Sequence, residues 1–193
     1  MRDQFLERFN DVQREGADEF LEWLYGTDFF KAPASTKYHL ACEGGLVAHS
    51  VHVHDRLVRL NEFEGTGYSE ETLAICGLLH DLCKVDFYDI ELKWAKDGKN
   101  KWYQYPAYVV KDKLPYGHGE RSVYVISGFM KLTREEAFAI RWHMGFSDDC
   151  AKGAGNYVSK VFGMFPLALM LNMADMQATF IDEKEETGNE KIA

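Results

Sequence analysis

Two stretches of core composition in this chain each run straight into a carboxylate. Leu73, Ala74, Ile75, Cys76, Gly77, Leu78 and Leu79 lead into His80 and Asp81, and the run from Leu167 to Ala174 leads into Asp175. Neither run has the polar stripe of a surface helix, so each is expected to be buried on most sides and to carry its acid inward. An unpaired carboxylate in an apolar interior is strongly unfavourable, and a metal ion is one of the few partners that satisfies it beside an imidazole. The fold must therefore bring cationic or metal-bound partners to both acids.

The rest of the chain supplies a helical frame for these runs. Phe5, Leu6, Phe9, Val12, Phe20, Leu21 and Leu24 recur at near-helical spacing, which predicts one or two amphipathic helices between Asp3 and Tyr25. A connector at 31–37 precedes Gly44 and Gly45, which open a helix from about Leu46 to Phe63. Ser69 is the N-cap candidate for a helix from about Glu70 to Leu82, and Thr133 with Glu136 forms a capping box for one from Arg134 to His143. Further helices are expected from Glu120 to Met130 and from Pro166 to Phe180. Between Ile90 and Tyr108 the pattern changes. Trp94, Trp102, Tyr103, Tyr105 and Tyr108 flank a turn at Asp97, Gly98, Lys99 and Asn100, a composition that favours a β-hairpin.

The expectation is one all-α domain over residues 1–193 with a small β-hairpin insertion and a frayed tail from about 182 to 193. A length of 193 residues with 46% hydrophobic and 27% charged residues suits a single folded domain rather than a disordered chain. Cys42, Cys76, Cys83 and Cys150 form no CxxC pair and read as reduced core residues. No apolar signal core follows Met1, and no segment approaches the roughly 18 apolar residues of a membrane span, so a cytoplasmic protein that does not engage membranes is expected. The net charge of -9 argues against a long nucleic-acid footprint but not against a small anionic ligand in a local basic pocket.

Helical projection places His49 beside Leu46, Val53 and Leu60, and His52 beside Arg56 and Arg59, so His49 points inward and His52 outward. Taken singly, each histidine reads as an ordinary hydrogen-bonded imidazole. Together, three segments that each deliver His or Asp from an apolar face suit a divalent metal. His39, His52 and His54 read as structural or surface residues, with His39 near enough to the Gly44–Gly45 turn to border the pocket.

His49, the pair His80–Asp81 and the distal Asp175 resemble the H…HD…D pattern of the HD-domain phosphohydrolase superfamily. Gly44 to Ser50 resembles its GGL-x-x-H-S/T start, Leu78 to Lys84 its LLHDIGK segment, and Met173 to Asp175 its ADxxDA ending, so the resemblance covers about 37–180. It implies an all-helical fold in which His49, His80, Asp81 and Asp175 bind one divalent ion. His118 and His143 resemble the extra histidines of the HD-GYP and HD-type 3′-5′ exoribonuclease subgroup, which implies a second ion bridged by Asp81. Trp142 stands where related proteins often carry a second histidine, and no GYP tripeptide occurs, so cyclic dinucleotide specificity is not implied. The match to HDxxK carries Lys84 over as a phosphate ligand, with Arg56, Arg121 and Arg141 as weaker candidates for the same task.

The expected activity is metal-dependent hydrolysis of a phosphoester or phosphoanhydride in a small nucleotide-like substrate, with Asp81 and Lys84 at the chemistry. One or two ions of Mn, Fe, Co, Ni or Zn suit these donors. The alternatives are phosphodiester cleavage of a cyclic nucleotide or short oligonucleotide, and a catalytically silent nucleotide-binding module. The aromatic hairpin suits either base stacking or a contact between copies of the chain.

Overall fold

The computed structural model describes residues 1–148, 151 and 156–184. The amphipathic N-terminal stretch forms two helices, α1 (Arg2–Phe9) and α2 (Ala17–Tyr25), which bury Phe5, Phe9, Phe20 and Leu24 one turn apart. The long helix α3 (Gly45–Glu64) follows, then α4 (Glu70–Leu79), whose Ser69 cap accepts a hydrogen bond from the Thr72 amide at 3.2 Å. Helix α4 stops three residues earlier than its apolar pattern suggests. His80 is its C-cap, Asp81 leaves helical geometry at φ -104 and ψ 21, and Leu82–Lys84 is a 3₁₀ turn. That break turns Asp81 away from the helix axis.

Helix α5 (His118–Ser127) starts two residues before the expected boundary, and α6 (Arg134–Trp142) carries the full Thr133–Glu136 capping box. Helix α7 (Tyr157–Met164) is not anticipated by the sequence reading. Its buried Val158 and Val161 are a single i,i+3 pair, too short a pattern to stand out. Helix α8 (Pro166–Gln177) begins with proline in its first turn, where the missing amide is not needed, and passes into a wider π turn over Ala178–Asp182.

Helix α3 packs against α4 and α8, α8 also packs on α6, and α5 packs on α6. Two glycines set these distances. A Cβ on Gly77 would fall 2.6 Å from the His54 Cα, so α4 lies directly on the α3 backbone. A Cβ on Gly119 would fall 2.2 Å from the Arg141 carbonyl oxygen, so α5 meets α6 in the same way. Away from the apolar core, Arg14 reaches Glu136 at 2.7 Å and Glu71 at 3.0 Å, and the Thr72 hydroxyl donates to Glu136 at 3.0 Å. These bonds tie the α1–α2 connector to α4 and α6.

The hairpin is present as β1 (Tyr88–Lys96) and β2 (Trp102–Val110), antiparallel and in register from Tyr88↔Val110 to Lys96↔Trp102. Asp97 organises the turn by accepting from the Lys99 and Lys101 amides at 2.9 and 2.8 Å, and Asn100 takes the left-handed conformation at φ 62. At its base the hairpin meets the body through the Tyr88 hydroxyl, which donates to the Ala34 carbonyl at 3.4 Å.

Two expectations need correction. Asp182 and Glu183 do not begin a frayed tail: Arg56 pairs with Asp182, and Glu183 is buried beneath α3 because histidines there hold its carboxylate. Residues 185–193 of that expected tail lie outside the described residues. Cys76 and Cys83 are buried free thiols, but Cys42 is exposed in the loop before α3 rather than in the core, and Cys150 lies outside the described residues. His54, read as structural or surface, is structural: it is buried against α4 with its Nδ1 3.1 Å from Asp55. Among the described residues no single helix is long and apolar enough to cross a membrane.

Candidate metal centre

The break after α4 places Asp81 at the meeting point of four other elements. Its Oδ2 lies 3.6 Å from Nε2 of both His49 on α3 and His80, and its Oδ1 lies 2.9 Å from Nε2 of His118 on α5 and 3.5 Å from Nε2 of His143 after α6. Asp175 on α8 completes the first set, with Oδ1 3.2 Å from His49 Nε2. Thus His49 and His80 face Asp81 Oδ2 and His118 and His143 face Oδ1, while Asp175 reaches the cluster through His49 and groups with His80 and His143. Donor atoms of His49, His80 and Asp81 can converge on one ion, as can those of Asp81, His118 and His143.

Hydrogen bonding fixes which imidazole nitrogens are free for this. His80 Nδ1 lies 2.9 Å from the Gly77 carbonyl and His143 Nδ1 lies 2.7 Å from the Ile140 carbonyl. A carbonyl only accepts, so each Nδ1 carries a proton and each Nε2 presents a lone pair when the ring is neutral. His49 Nδ1 faces the Glu183 carboxylate at 3.0 Å, and His49 and His80 approach each other Nε2 to Nε2 at 3.4 Å. Lone pairs and carboxylate oxygens facing one another in a buried space call for a cation. His143 Nε2 is buried and makes no hydrogen bond, the orphaned atom such a cation would satisfy. The pattern of Nε2 inward and Nδ1 donating outward is also how metal-ligating histidines are held.

The electrostatics agree. Burial disfavours a charged His49, yet Asp175 and Glu183 outweigh it and hold the imidazole up to about 9. Burial likewise opposes charge on His118, but Cys83 and Asp81 raise it to about 10. His80, buried and facing other imidazoles, is pushed down to about 3. Asp81 lies well below the usual carboxylate range despite burial because Lys84 and the histidines surround it. The site therefore attracts positive charge, and a divalent ion would displace the protons that its field otherwise holds.

Lys84 Nζ lies 2.6 Å from Asp81 Oδ2 and lines a cavity of about 870 Å³ together with His49, Asp81, His118 and Asp175. The three arginines do not line it. Arg56 pairs with Asp182, Arg121 with Asp112 at 3.1 Å and the Val85 carbonyl at 2.9 Å, and Arg141 with Asp148 at 3.0 Å and with Glu120. Their charges are engaged in holding loops and helices.

One cavity residue escaped the sequence reading. Glu183 accepts from Nδ1 of both His49 and His52, so His52 faces a buried carboxylate rather than only solvent. Its own carboxyl, opposed by burial, is held down to about 2 by those histidines. No local signal marks it, because it sits in a charged stretch. His39, read as bordering the pocket, does line it, with its ring 5.0 Å from that of His49, and its Nε2 makes no hydrogen bond. Burial lowers its pKa, so His39 is a neutral imidazole at neutral pH.

A family model described as HD domain matches residues 46–159, more than half of the chain. That span holds His49, His80, Asp81, Lys84, His118 and His143, whereas Asp175 and Glu183 lie beyond it. No curated protein and no solved structure matches the chain.

Proposed function

The chain belongs to the HD domain family, and from that premise we propose that it is a metal-dependent phosphohydrolase acting on a phosphoester or phosphoanhydride of a small nucleotide-like substrate. The observation that carries the reading is Asp81, which has imidazole donors at both oxygens and the Lys84 ammonium 2.6 Å away, at the wall of an open cavity. His49, His80, Asp81 and Asp175 would hold a first ion, and Asp81, His118 and His143 a second. Imidazole and carboxylate donors suit Mn, Fe, Co, Ni or Zn better than Mg. A divalent ion bound there supplies Lewis acidity toward a phosphoryl oxygen and makes water nucleophilic at neutral pH.

The protein's own groups do the rest. Lys84 is cationic at neutral pH because Asp81 outweighs its burial, so it offsets the negative charge on a phosphate entering the cavity. Glu183 and the backbone carbonyls of Gly77 and Ile140 lock three imidazoles in orientation before substrate arrives. His39, neutral and with a free Nε2, offers a hydrogen bond to the substrate or its leaving group. Tyr88 and Val110 bring the base of the hairpin to the cavity wall, beside the substrate's non-reacting portion.

A phosphodiester substrate is the second reading, favoured by the placement of His118 and His143 on the Asp81 oxygen opposite His49 and His80.

The test measures metal content of native protein and of Asp81→Ala, with both assayed against nucleoside mono-, di- and triphosphates and phosphodiesters. The variant is expected to lose metal and at least about 1000-fold in turnover, given the several kcal/mol a metal contributes to such transition states. Two ions per chain with phosphodiester turnover would select the second reading. Unchanged metal in the variant would overturn the centre, and metal without turnover of any substrate would make the protein a binding module.

A further inference from the structure

One group beside the centre has no part in the function proposed above. Cys83, two residues after Asp81 in the 3₁₀ turn, is a free thiol only 3% exposed. Its Sγ lies 3.9 Å from Asp81 Oδ1 and stands 3.3 Å from Nδ1 and 3.6 Å from Nε2 of His118. A thiol hydrogen-bonded along the Nδ1 lone pair would stand roughly 5 Å from Nε2, because the two nitrogens face opposite ways around the ring. The near-equal distances place the sulfur over the face of the ring, off the Nδ1 lone pair and near the space that Nε2 shares with Asp81.

That space already has the other donors of a small-ion site. His118 Nε2 is 2.9 Å and His143 Nε2 3.5 Å from Asp81 Oδ1, and the His143 atom is fully buried without a hydrogen bond. Ligand atoms around a tetrahedral ion at about 2.0–2.3 Å stand about 3.3–3.8 Å apart. The sulfur's separation of 3.6 Å from His118 Nε2 falls within those edges, and its 3.9 Å from Asp81 Oδ1 lies just beyond them.

We propose that Cys83, as a thiolate, is a ligand of the second ion together with Asp81, His118 and His143, so that the two metal positions differ in kind. The first, with only nitrogen and oxygen donors, accepts a broad range of divalent ions. The second, with a sulfur donor, prefers zinc, cobalt or iron(II) over manganese or magnesium. Binding there releases the thiol proton to solvent. This inference rests on the metal-centre reading above.

The experiment titrates cobalt(II) into the metal-free full-length protein and follows its optical spectrum. A thiolate ligand gives a near-ultraviolet charge-transfer band in addition to the visible d–d bands. The band is expected to grow with one of two equivalents, to persist in Cys42→Ser, and to be lost in Cys83→Ser. X-ray absorption of the zinc-loaded wild-type protein, which needs no variant, should find a sulfur neighbour at about 2.3 Å. Cobalt bound without the band, or zinc without sulfur, overturns the Cys83 inference and leaves the metal centre standing. No cobalt binding at all overturns both.

Discussion

In the helical body, His49, His80, Asp81 and His143 are almost wholly buried, whereas in the hairpin Ile90, Leu92, Trp94 and Trp102 each stand about 60% exposed. Each region breaks the ordinary rule of apolar inside and polar outside, and in opposite directions. In the body the exception is over-determined. Every inward-facing imidazole but one has its second nitrogen fixed by a carbonyl or carboxylate, and Asp81 is bracketed by donors on both oxygens. Among the described residues the apolar face of the hairpin is held by the partner strand, a Tyr88–Tyr108 ring contact near its base and a cation–π contact, Lys96 over Trp102 at 4.9 Å. Buried polarity here is a built site, while the exposed apolar surface is a face that the body does not cover. The contrast also separates two kinds of substitution, those that remove a support and those that remove only a surface.

The largest loss is expected where a buried charge is deprived of its partner. Glu136→Gln should cost about 3 kcal/mol in denaturant unfolding at neutral pH, since it neutralises the fully buried partner of Arg14. The pH dependence follows from the direction of the shift. Burial raises the Glu136 pKa, but hydrogen bonds from Arg14 and the Thr133 amide outweigh it and leave it below 4.5. Its contribution is therefore fully present above about pH 4.5 and fades as pH falls through the lowered folded value. The gap in Tm between wild type and variant should be constant down to that pH and narrow below it; a gap independent of pH would break the assignment.

Gly77→Ala comes next, at about 2 kcal/mol of destabilisation. The overlap with the His54 backbone outweighs the gain in helix propensity, and the unfolding midpoint reads the balance. An increase in stability would mean that α3 and α4 separate easily and that the frame around His80 is soft. Glu183→Ala should destabilise the metal-free protein by about 1 kcal/mol, because buried His49 loses a hydrogen-bond partner, and weaken metal affinity by about 10–100-fold, as expected when the group orienting a ligand histidine is removed. Isothermal titration with zinc checks it, and unaltered affinity would return Glu183 to the status of a tail residue.

The smallest effect belongs to the hairpin. Trp94→Thr should change unfolding free energy by no more than about 0.5 kcal/mol, because the side chain is mostly in water already. A loss above about 1 kcal/mol, or one that depends on protein concentration, would show that another surface covers this face and would dissolve the contrast between the two regions.

Much of the frame is legible locally. The apolar runs before His80 and Asp175, the Ser69 and Thr133 caps and the aromatic alternation around Asp97 each report a backbone preference within a few residues, and the structure forms an element at each. The failures have equally local reasons. Helix α4 ends at Leu79 because Asp81 takes a non-helical conformation that apolar periodicity does not register. Helix α7 offers too few periodic residues to be seen.

The sequence by itself determined which segments are buried helices, that His49 and Asp175 face inward from theirs and that His80 and Asp81 follow at a buried helix end, since burial follows from apolar composition and periodicity along one segment. Only the tertiary structure decided how those side chains share the space. It split Asp81 between two sets of imidazoles, set the Cys83 sulfur beside His118, and diverted Arg56, Arg121 and Arg141 into ion pairs. It also returned Glu183 to His49 across 134 residues of chain. Such pairings depend on where helices cross, at contacts like Gly77 on His54 and Gly119 on Arg141, and no periodicity within a single helix carries that information.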